Sequence, residues 1–505
     1  MDLLQALQYL MTPEPMMWLL IGVASGIFVG AIPGLGGGML MVLTVPLTFS
    51  MDSTHAVLLL MGMHVGSVSG GLISATLLKM PGTPSAMMTT FDGYPMAQQG
   101  KPGLALSLGI GASFLGGLIS AIFLIILAPP LAKLALKFGP WEYFAMVLMA
   151  LVLISTISQG TMLKGLLSAM LGITAALPGL NASDGQLRLT FGHESMTDGF
   201  NLLPVLLGIF VMSQLIKDTV ELNKKATSIS LKNSRLFPKL ATWKKHTTNL
   251  FRSSIVGTWI GILPGIGASI SSMVSYGMAK AFSKTPEKFG TGHEEGIVAS
   301  EAANNANAGG ALIPLITMGI PGAPVDAILL GAMIMHDIQP GPLLFQTNGS
   351  LVWALMGGYL VANILMFLIM LFSTRAVAKV ININRAYLIP VIFVFCVIGA
   401  FAESNRIFDV WLVLVFGIVG FFLDKAKFPL GPFVIGYVLT GFLEENLRSG
   451  LQASDGSFLP LFTRPLALTF VLVAILFLLL PFYTEWNRKR KQASRISPAR
   501  SCRTH

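Results

Sequence analysis

The sequence predicts an all-α, polytopic membrane protein made of two internal repeats that contain broken or re-entrant helices. Three observations predict it. The 505 residues are 53% hydrophobic and only 11% charged, where a soluble domain carries about 25% charged residues. Apolar segments of bilayer-crossing length, roughly 17–25 residues each, fill almost the whole chain. One phrase occurs twice: Gly30-Ala31-Ile32-Pro33-Gly34-Leu35-Gly36 returns as Gly261-Ile262-Leu263-Pro264-Gly265-Ile266-Gly267. Proline removes a backbone donor and glycine relaxes φ, so Pro-Gly inside an apolar helix breaks it. In lipid, broken backbone survives only where protein or a water-filled cavity surrounds it.

In chain order, residues 1–16 lack the positive region of a cleavable signal, so the first span is expected to remain in the protein. Clear spans read at 18–32, 104–127, 144–157, 351–372 and 466–482, within a total on the order of 10–13. Residues 1–216 are expected to form the first membrane repeat and 217–251 a basic loop. The second repeat is expected at 252–464, an extra span at 465–487 and a basic tail at 488–505. Each copy of the first phrase is followed by a second one. Gly70-Gly71 with Met80-Pro81-Gly82-Thr83-Pro84 is matched by Gly309-Gly310 with Ile320-Pro321-Gly322-Ala323-Pro324. The offset grows from 231 residues (Pro33 to Pro264) to 240 (Pro81 to Pro321), which places a nine-residue insertion in the hydrophilic stretch 283–295. A third echo pairs Gly179-Leu180-Asn181-Ala182-Ser183-Asp184-Gly185 with Gly450-Leu451-Gln452-Ala453-Ser454-Asp455-Gly456. A charge-poor N-terminus and a basic centre give the first half an odd number of crossings, which favours an inverted repeat.

The net charge of +10 is concentrated in the central loop (Lys224, Lys225, Lys232, Arg235, Lys239, Lys244, Lys245) and the tail (Arg488, Lys489, Arg490, Lys491, Arg495, Arg500, Arg503). The positive-inside rule makes both segments cytoplasmic, and no nucleic-acid partner is needed to explain them. Cys396 lies in an apolar span and Cys502 in the tail, a pattern that indicates neither a disulfide nor a thiolate metal site.

The segments before the Pro-Gly-x-Pro phrases carry the chemistry. The first, His64 to Thr76, is small and hydroxyl-rich. The second contains Glu301, Asn304, Asn305 and Asn307. Close helix packing explains the small residues but not the amides or the acid. Ionisable groups inside a membrane cost about 2.5–3.5 kcal/mol on insertion scales and mark functional sites by default. A surface position is the alternative for Glu301. A helix that restarts after Pro-Gly offers free N–H groups and a positive dipole end, an anion site needing no cationic side chain. The half-helix before the break ends in free carbonyls that suit Na⁺ or a proton carrier. The residues therefore imply an anion carried with a cation. Ser67, Ser69, Gly82, Thr83, Asn304, Asn305 and Gly322 are the expected substrate-binding positions. Gly34, Gly36, Gly265, Gly267, Glu301, Thr317 and Asp326 are the expected cation-coupling positions, with a dipole-compensating role as the equal alternative for Asp326. His64 and His336 read as structural histidines. No phosphate-binding loop, H-E-x-x-H pair or nucleophile–base set appears, so no enzyme activity and no cofactor beyond a coupling Na⁺ or H⁺ is expected.

At these residues the chain resembles a known family, the large membrane subunit (TctA) of the tripartite tricarboxylate transporters. The resemblance is carried by Gly30 to Gly38, Met80 to Pro95, Gly179 to Gly192 with Asp184, Arg188 and Phe191-Gly192, and above all Glu301 to Phe345. Ala323-Pro324-Val325-Asp326 departs from the family habit of further hydroxyls after Pro-Gly. The resemblance implies a permease of the bacterial inner membrane that takes up citrate or another di- or tricarboxylate by cation symport. It also implies two partners, a small membrane subunit (TctB-like) and a periplasmic solute-binding protein (TctC-like). A passive anion channel is the alternative function, with a membrane-embedded hydrolase behind it.

Overall fold

The computed structural model describes residues 2–157, 161–181, 185–220, 229, 231, 240–380 and 385–479. The chain is helical almost throughout. Among the described residues its strands are Gly179–Leu180 and Leu187–Arg188, paired antiparallel. Seven described helices are long and apolar enough to cross a membrane, and five shorter apolar helices accompany them. Three further long helices, Leu240–Ile262, Glu294–Met318 and Leu430–Ala453, fall outside that group. The second carries buried polar side chains and faces protein on all sides: every residue from Gly296 to Thr317 is buried.

All four Pro-Gly phrases interrupt helices. The Pro13–Gly30 helix stops before Pro33, and Gly37–Thr48 restarts after Gly34 and Gly36, whose φ angles are +93° and +25°. Leu240–Ile262 and Gly267–Phe282 are divided the same way, with Gly265 at +82° and Gly267 at +73°. The Ser53–Leu78 helix ends in left-handed Lys79, and Glu294–Met318 ends in left-handed Gly319. Each cap lies two residues before the proline, next to the residue (Met80 or Ile320) that the proline ring bars from the helical conformation. The restarts are the 3₁₀ turn Pro84–Met87, followed by Thr89–Gln98, and the Pro324–Met335 helix.

Glycine sets the helix spacing. A Cβ on Gly26 or Gly30 would lie 2.4 or 2.3 Å from the carbonyl oxygen of Met63 or Ser67, and one on Gly70 would lie 2.4 Å from that of Ile27. The second half repeats these contacts. A Cβ on Gly257 or Gly261 would lie 2.6 or 2.4 Å from the Ala303 or Asn307 carbonyl oxygen, and one on Gly310 would lie 2.3 Å from that of Thr258. Close packing therefore accounts for the glycines of the small-residue stretches. The Pro102–Ala135 helix is locked onto Glu294–Met318 likewise, a Cβ on Gly116 falling 2.3 Å from the Ala302 carbonyl oxygen.

The Leu240–Ile262 helix begins inside the stretch read as the basic loop and runs across residue 252. Trp243 lies over Gly111, and His246 and Lys245 reach Glu294 Oε2 at 2.8 and 3.3 Å. Lys224, Lys225, Lys232, Arg235 and Lys239 lie outside the described residues, as do the tail, Cys502, and the extra span beyond Leu479 of the Pro465–Leu479 helix. The third echo does not mark equivalent structure. Gly179 opens a strand with φ +105°, whereas Gly450 is helical and packs on Trp141; Ala182, Ser183 and Asp184 lie outside the described residues.

The hydrophilic stretch in the second half is an ordered loop tied to the first half by one carboxylate. Asp92 Oδ1 accepts the backbone N–H groups of Gly290, Gly292 and His293 at 2.9, 2.9 and 2.7 Å. Its Oδ2 accepts the Tyr276 hydroxyl at 2.8 Å. Asp92→Ala strands these donors and is expected to lower stability by about 3 kcal/mol. Thermal unfolding of the detergent-purified variant checks this, and an unchanged midpoint refutes the tie.

Candidate functional site

The buried helices Ser53–Leu78 and Glu294–Met318 meet where Ser69 Oγ donates to Asn305 Oδ1 at 2.6 Å. Asn305 Nδ2 donates to the Glu301 carbonyl at 3.1 Å. The Tyr359 hydroxyl donates to the Asn305 carbonyl at 3.0 Å and shares a hydrogen bond with Ser120 at 3.1 Å. Ser69 and Asn305 are thus brought together, but with each other. Asn304 differs. It is 0% exposed, and neither Oδ1 nor Nδ2 makes a hydrogen bond of normal geometry, although the amide stands near Glu301. Asn307 Nδ2 is unpartnered too. Unsatisfied buried amides cost about 1–3 kcal/mol each and mark where a ligand or an ordered water belongs.

Glu301 is fully buried, so its surface alternative is set aside. Its Oε1 accepts the Thr89 hydroxyl and its Oε2 the Ser113 hydroxyl. These donors come from the restart after the first Pro-Gly-x-Pro break and from the long Pro102–Ala135 helix, so Glu301 joins three elements.

Within each half the two breaks touch. A Cβ on Gly82 would fall 1.9 Å from the Gly30 carbonyl oxygen, and the Gly265 N–H donates to the Gly322 carbonyl at 2.8 Å. Gly267 lies against Ala323, its ideal Cβ 3.8 Å from that methyl. Between halves the pairing is reciprocal: Gly37–Thr48 packs on Pro324–Met335, and Gly267–Phe282 packs on the Pro84–Met87 turn. Open space surrounds the Cβ position of Gly36, while that of Gly37 falls on Ser67 Oγ. Gly34 faces the Asp218 carboxylate, with both oxygens 3.5 Å from its Cβ position. Thr83 shares a 3.0 Å hydrogen bond with Ser85. Ser67 and Thr317 donate to carbonyls of their own helices, His64 at 2.9 Å and Ile313 at 2.7 Å. Asp326 is 1% exposed, neither oxygen makes a hydrogen bond of normal geometry, and His64 Nε2 lies 4.0 Å away.

The arrangement supplies helix N-termini, free amides and one poorly partnered acid in a buried interior, which suits binding of a small anion with a counter-charge. Sequence reading missed the placements of His64, Thr89, Ser113, Asp218 and Tyr359. Ser113 and Tyr359 are residue types common in apolar helices and give no signal. Gln214 and Asp218, four apart in the Leu202–Val220 span, were a legible one.

A family model described as the tripartite tricarboxylate transporter TctA family matches residues 16–435. An uncharacterized 52.8 kDa protein in the TAR-I ttuC' 3' region of Agrobacterium vitis is 33% identical over 480 residues, 95% of this chain and 95% of that protein. An uncharacterized protein in the TAR-II ttuC' 3' region of the same organism is 36% identical over 236 residues, 47% of this chain and 98% of that protein. No solved structure matches.

Proposed function

Because this chain belongs to the tripartite tricarboxylate transporter TctA family, a family of multi-pass membrane proteins, we propose that it is the large permease subunit of a cation-coupled symporter for di- or tricarboxylates such as citrate. The proposal places it in the bacterial inner membrane with the central loop and C-terminus in the cytoplasm. Its partners are a small TctB-like membrane subunit and a periplasmic TctC-like solute-binding protein that delivers the substrate. It carries its substrate unchanged.

The observation that carries this reading is the meeting of paired helix breaks among buried, unsatisfied polar groups. Paired interruptions in two halves are where secondary transporters bind substrate. Helix contacts that recur at the same two offsets, Gly30 on Ser67 and Gly261 on Asn307, support two repeats related by symmetry. On this reading Asn304, Asn307 and the amides at Gly36 to Gly38 hold carboxylate oxygens. Ser69 with Asn305, and Glu301 with Thr89 and Ser113, keep the two halves in register around them.

Counterflow tests it. Proteoliposomes holding the protein with its co-purifying subunits and preloaded with unlabelled citrate, malate or succinate are expected to draw in the labelled acid above equilibrium. Passive equilibration without overshoot for every acid identifies a channel. A chemically altered label identifies an enzyme.

A further inference from the structure

The first turn of the Pro324–Met335 helix places Asp326 against the first half, and its surroundings are unlike those of the other buried acids. Glu301 and Asp92 have their oxygens engaged by donors. Asp326 has no hydrogen bond of normal geometry, although the backbone N–H of its N-cap residue Ala323 lies close. Across from it His64, 7% exposed, presents Nε2 at 4.0 Å, and His64 Nδ1 has no partner. An ionised carboxylate held this way costs several kcal/mol. Two such groups avoid that cost when one proton neutralises the carboxylate, and charges this close titrate as a unit.

The geometry points to His64 and Asp326 as the site of the coupling ion, and to a proton as that ion, bound beside the carboxylate substrate. This rests on the carrier reading and deepens it. Hard cations such as Na⁺ want several oxygen ligands. Here the group facing Asp326 is an imidazole, a nitrogen ligand that suits a proton or a transition metal rather than a hard cation.

The substrate side is adjacent. Gly37 lies on Ser67 Oγ, three residues along the helix from His64. The Cβ position of Gly38 is 3.6 Å from Val325 and 3.2 Å from Ile328, which flank Asp326. The free N-terminus of Gly37–Thr48, open at Gly36, therefore ends beside the pair. The empty carrier holds one proton in the pair, which is neutral. An arriving carboxylate at the Gly36 to Gly38 amides favours a second proton, taken from the outer water, leaving imidazolium and carboxylic acid with one positive charge. When the anion leaves inward, that second proton leaves to the inner water, so the N–H or O–H bond made on loading is broken on release and no other bond changes. By linkage the proton raises the affinity for the anion by the factor that the anion raises the affinity for the proton.

Other titratable groups on the packed helices have partners of their own. Tyr359 on Gly349–Val380 donates to Asn305, Glu301 is satisfied, and Asp92 on Thr89–Gln98 is held by the loop. Glu14 of Pro13–Gly30 pairs with His55 at 3.5 Å, nine residues along the helix from His64. Glu444 of Leu430–Ala453 is held by Arg188 and Arg448, beside Glu445; Tyr437 of that helix donates to the Phe200 carbonyl. Gly37–Thr48 carries no titratable residue. At the 240-residue offset His64 corresponds to Asn304 and Asp326 to Ala86, so one half alone holds an ionisable pair and each chain carries one such site.

Proteoliposomes are given labelled citrate under either a pH gradient, acid outside, or an inward Na⁺ gradient at equal pH. The pH gradient is expected to drive accumulation and the Na⁺ gradient to drive none. His64→Gln and Asp326→Asn are each expected to lose about tenfold or more of the pH-driven accumulation, and their counterflow should no longer strengthen toward acid pH. Accumulation driven by Na⁺ at equal pH, or wild-type pH dependence kept by both variants, overturns the proposal. A second reading needs no substrate. The infrared difference spectrum of the purified protein between acid and alkaline buffer should show a carboxylic-acid carbonyl band that Asp326→Asn removes and His64→Gln shifts. Persistence of the full band in Asp326→Asn overturns the pair whatever the transport result. If the wild type shows no counterflow, the carrier reading falls and this band decides the pair alone.

Discussion

Gly30→Val is expected to leave almost no folded protein in the membrane. A Cβ at Gly30 would lie 2.3 Å from the Ser67 carbonyl oxygen and 2.6 Å from Ser67 Cα, and both are backbone atoms that cannot swing aside. The Pro13–Gly30 and Ser53–Leu78 helices would have to separate along a seam where Gly22, Gly26, Gly62, Gly66 and Gly70 also sit within contact of the opposing backbone. Separation forfeits packing along the seam and displaces Ser67 from the Gly37 helix start. The smaller Gly30→Ala should cost about 1–3 kcal/mol, the usual penalty of overpacking. Gly277→Ala is the control, since nothing lies within 4 Å of its Cβ position and alanine favours a helix interior by about 0.8–1 kcal/mol. Membrane protein level and the thermal midpoint of detergent-purified protein measure all three. A Gly30→Val variant with wild-type level and midpoint would show that this seam does not hold the first half together.

Adjacent asparagines are expected to fail in different ways. Asn304→Ala should reduce uptake about tenfold or more while leaving the thermal midpoint near wild type. Its amide makes no hydrogen bond of normal geometry with the folded chain, and it loses a ligand bond of roughly 1–3 kcal/mol. Asn305→Ala should lower the midpoint, because it removes the 2.6 Å bond from Ser69 and the 3.1 Å bond to the Glu301 carbonyl. That cost is about 1–3 kcal/mol for the buried Ser69 hydroxyl left behind. Uptake falls here too, through loss of register between halves, and Asn305→Gln should not restore it. The check is uptake and thermal unfolding measured on the same preparations. Equal destabilisation by both alanine variants would place Asn304 in the framework rather than the site.

The sequence alone determined the architecture's class and its interruptions. Length and apolarity force helices, because lipid offers backbone groups no other partner. Pro33, Pro264, Pro81 and Pro321 with their glycines had to break those helices, whatever surrounded them. The local chemistry also marked Glu301, Asn304, Asn305 and Asp326 as unusual, since amides and acids in apolar sequence need a reason. Which partner each found depended on helices far apart in the chain. Asn304 and Asn305 are neighbours in sequence, yet a helical step of about 100° turns one toward Ser69 and leaves the other unsatisfied. Glu301 is held by Thr89 and Ser113, and the fate of its charge is set by an interface that no periodicity reveals. His64 reads as an ordinary core histidine until the second half delivers Asp326 opposite it. Backbone breaks are decided by bonds within a residue or two and are legible. The pairing of buried polar groups is decided by packing between segments more than 180 residues apart, and only the assembled structure contains it.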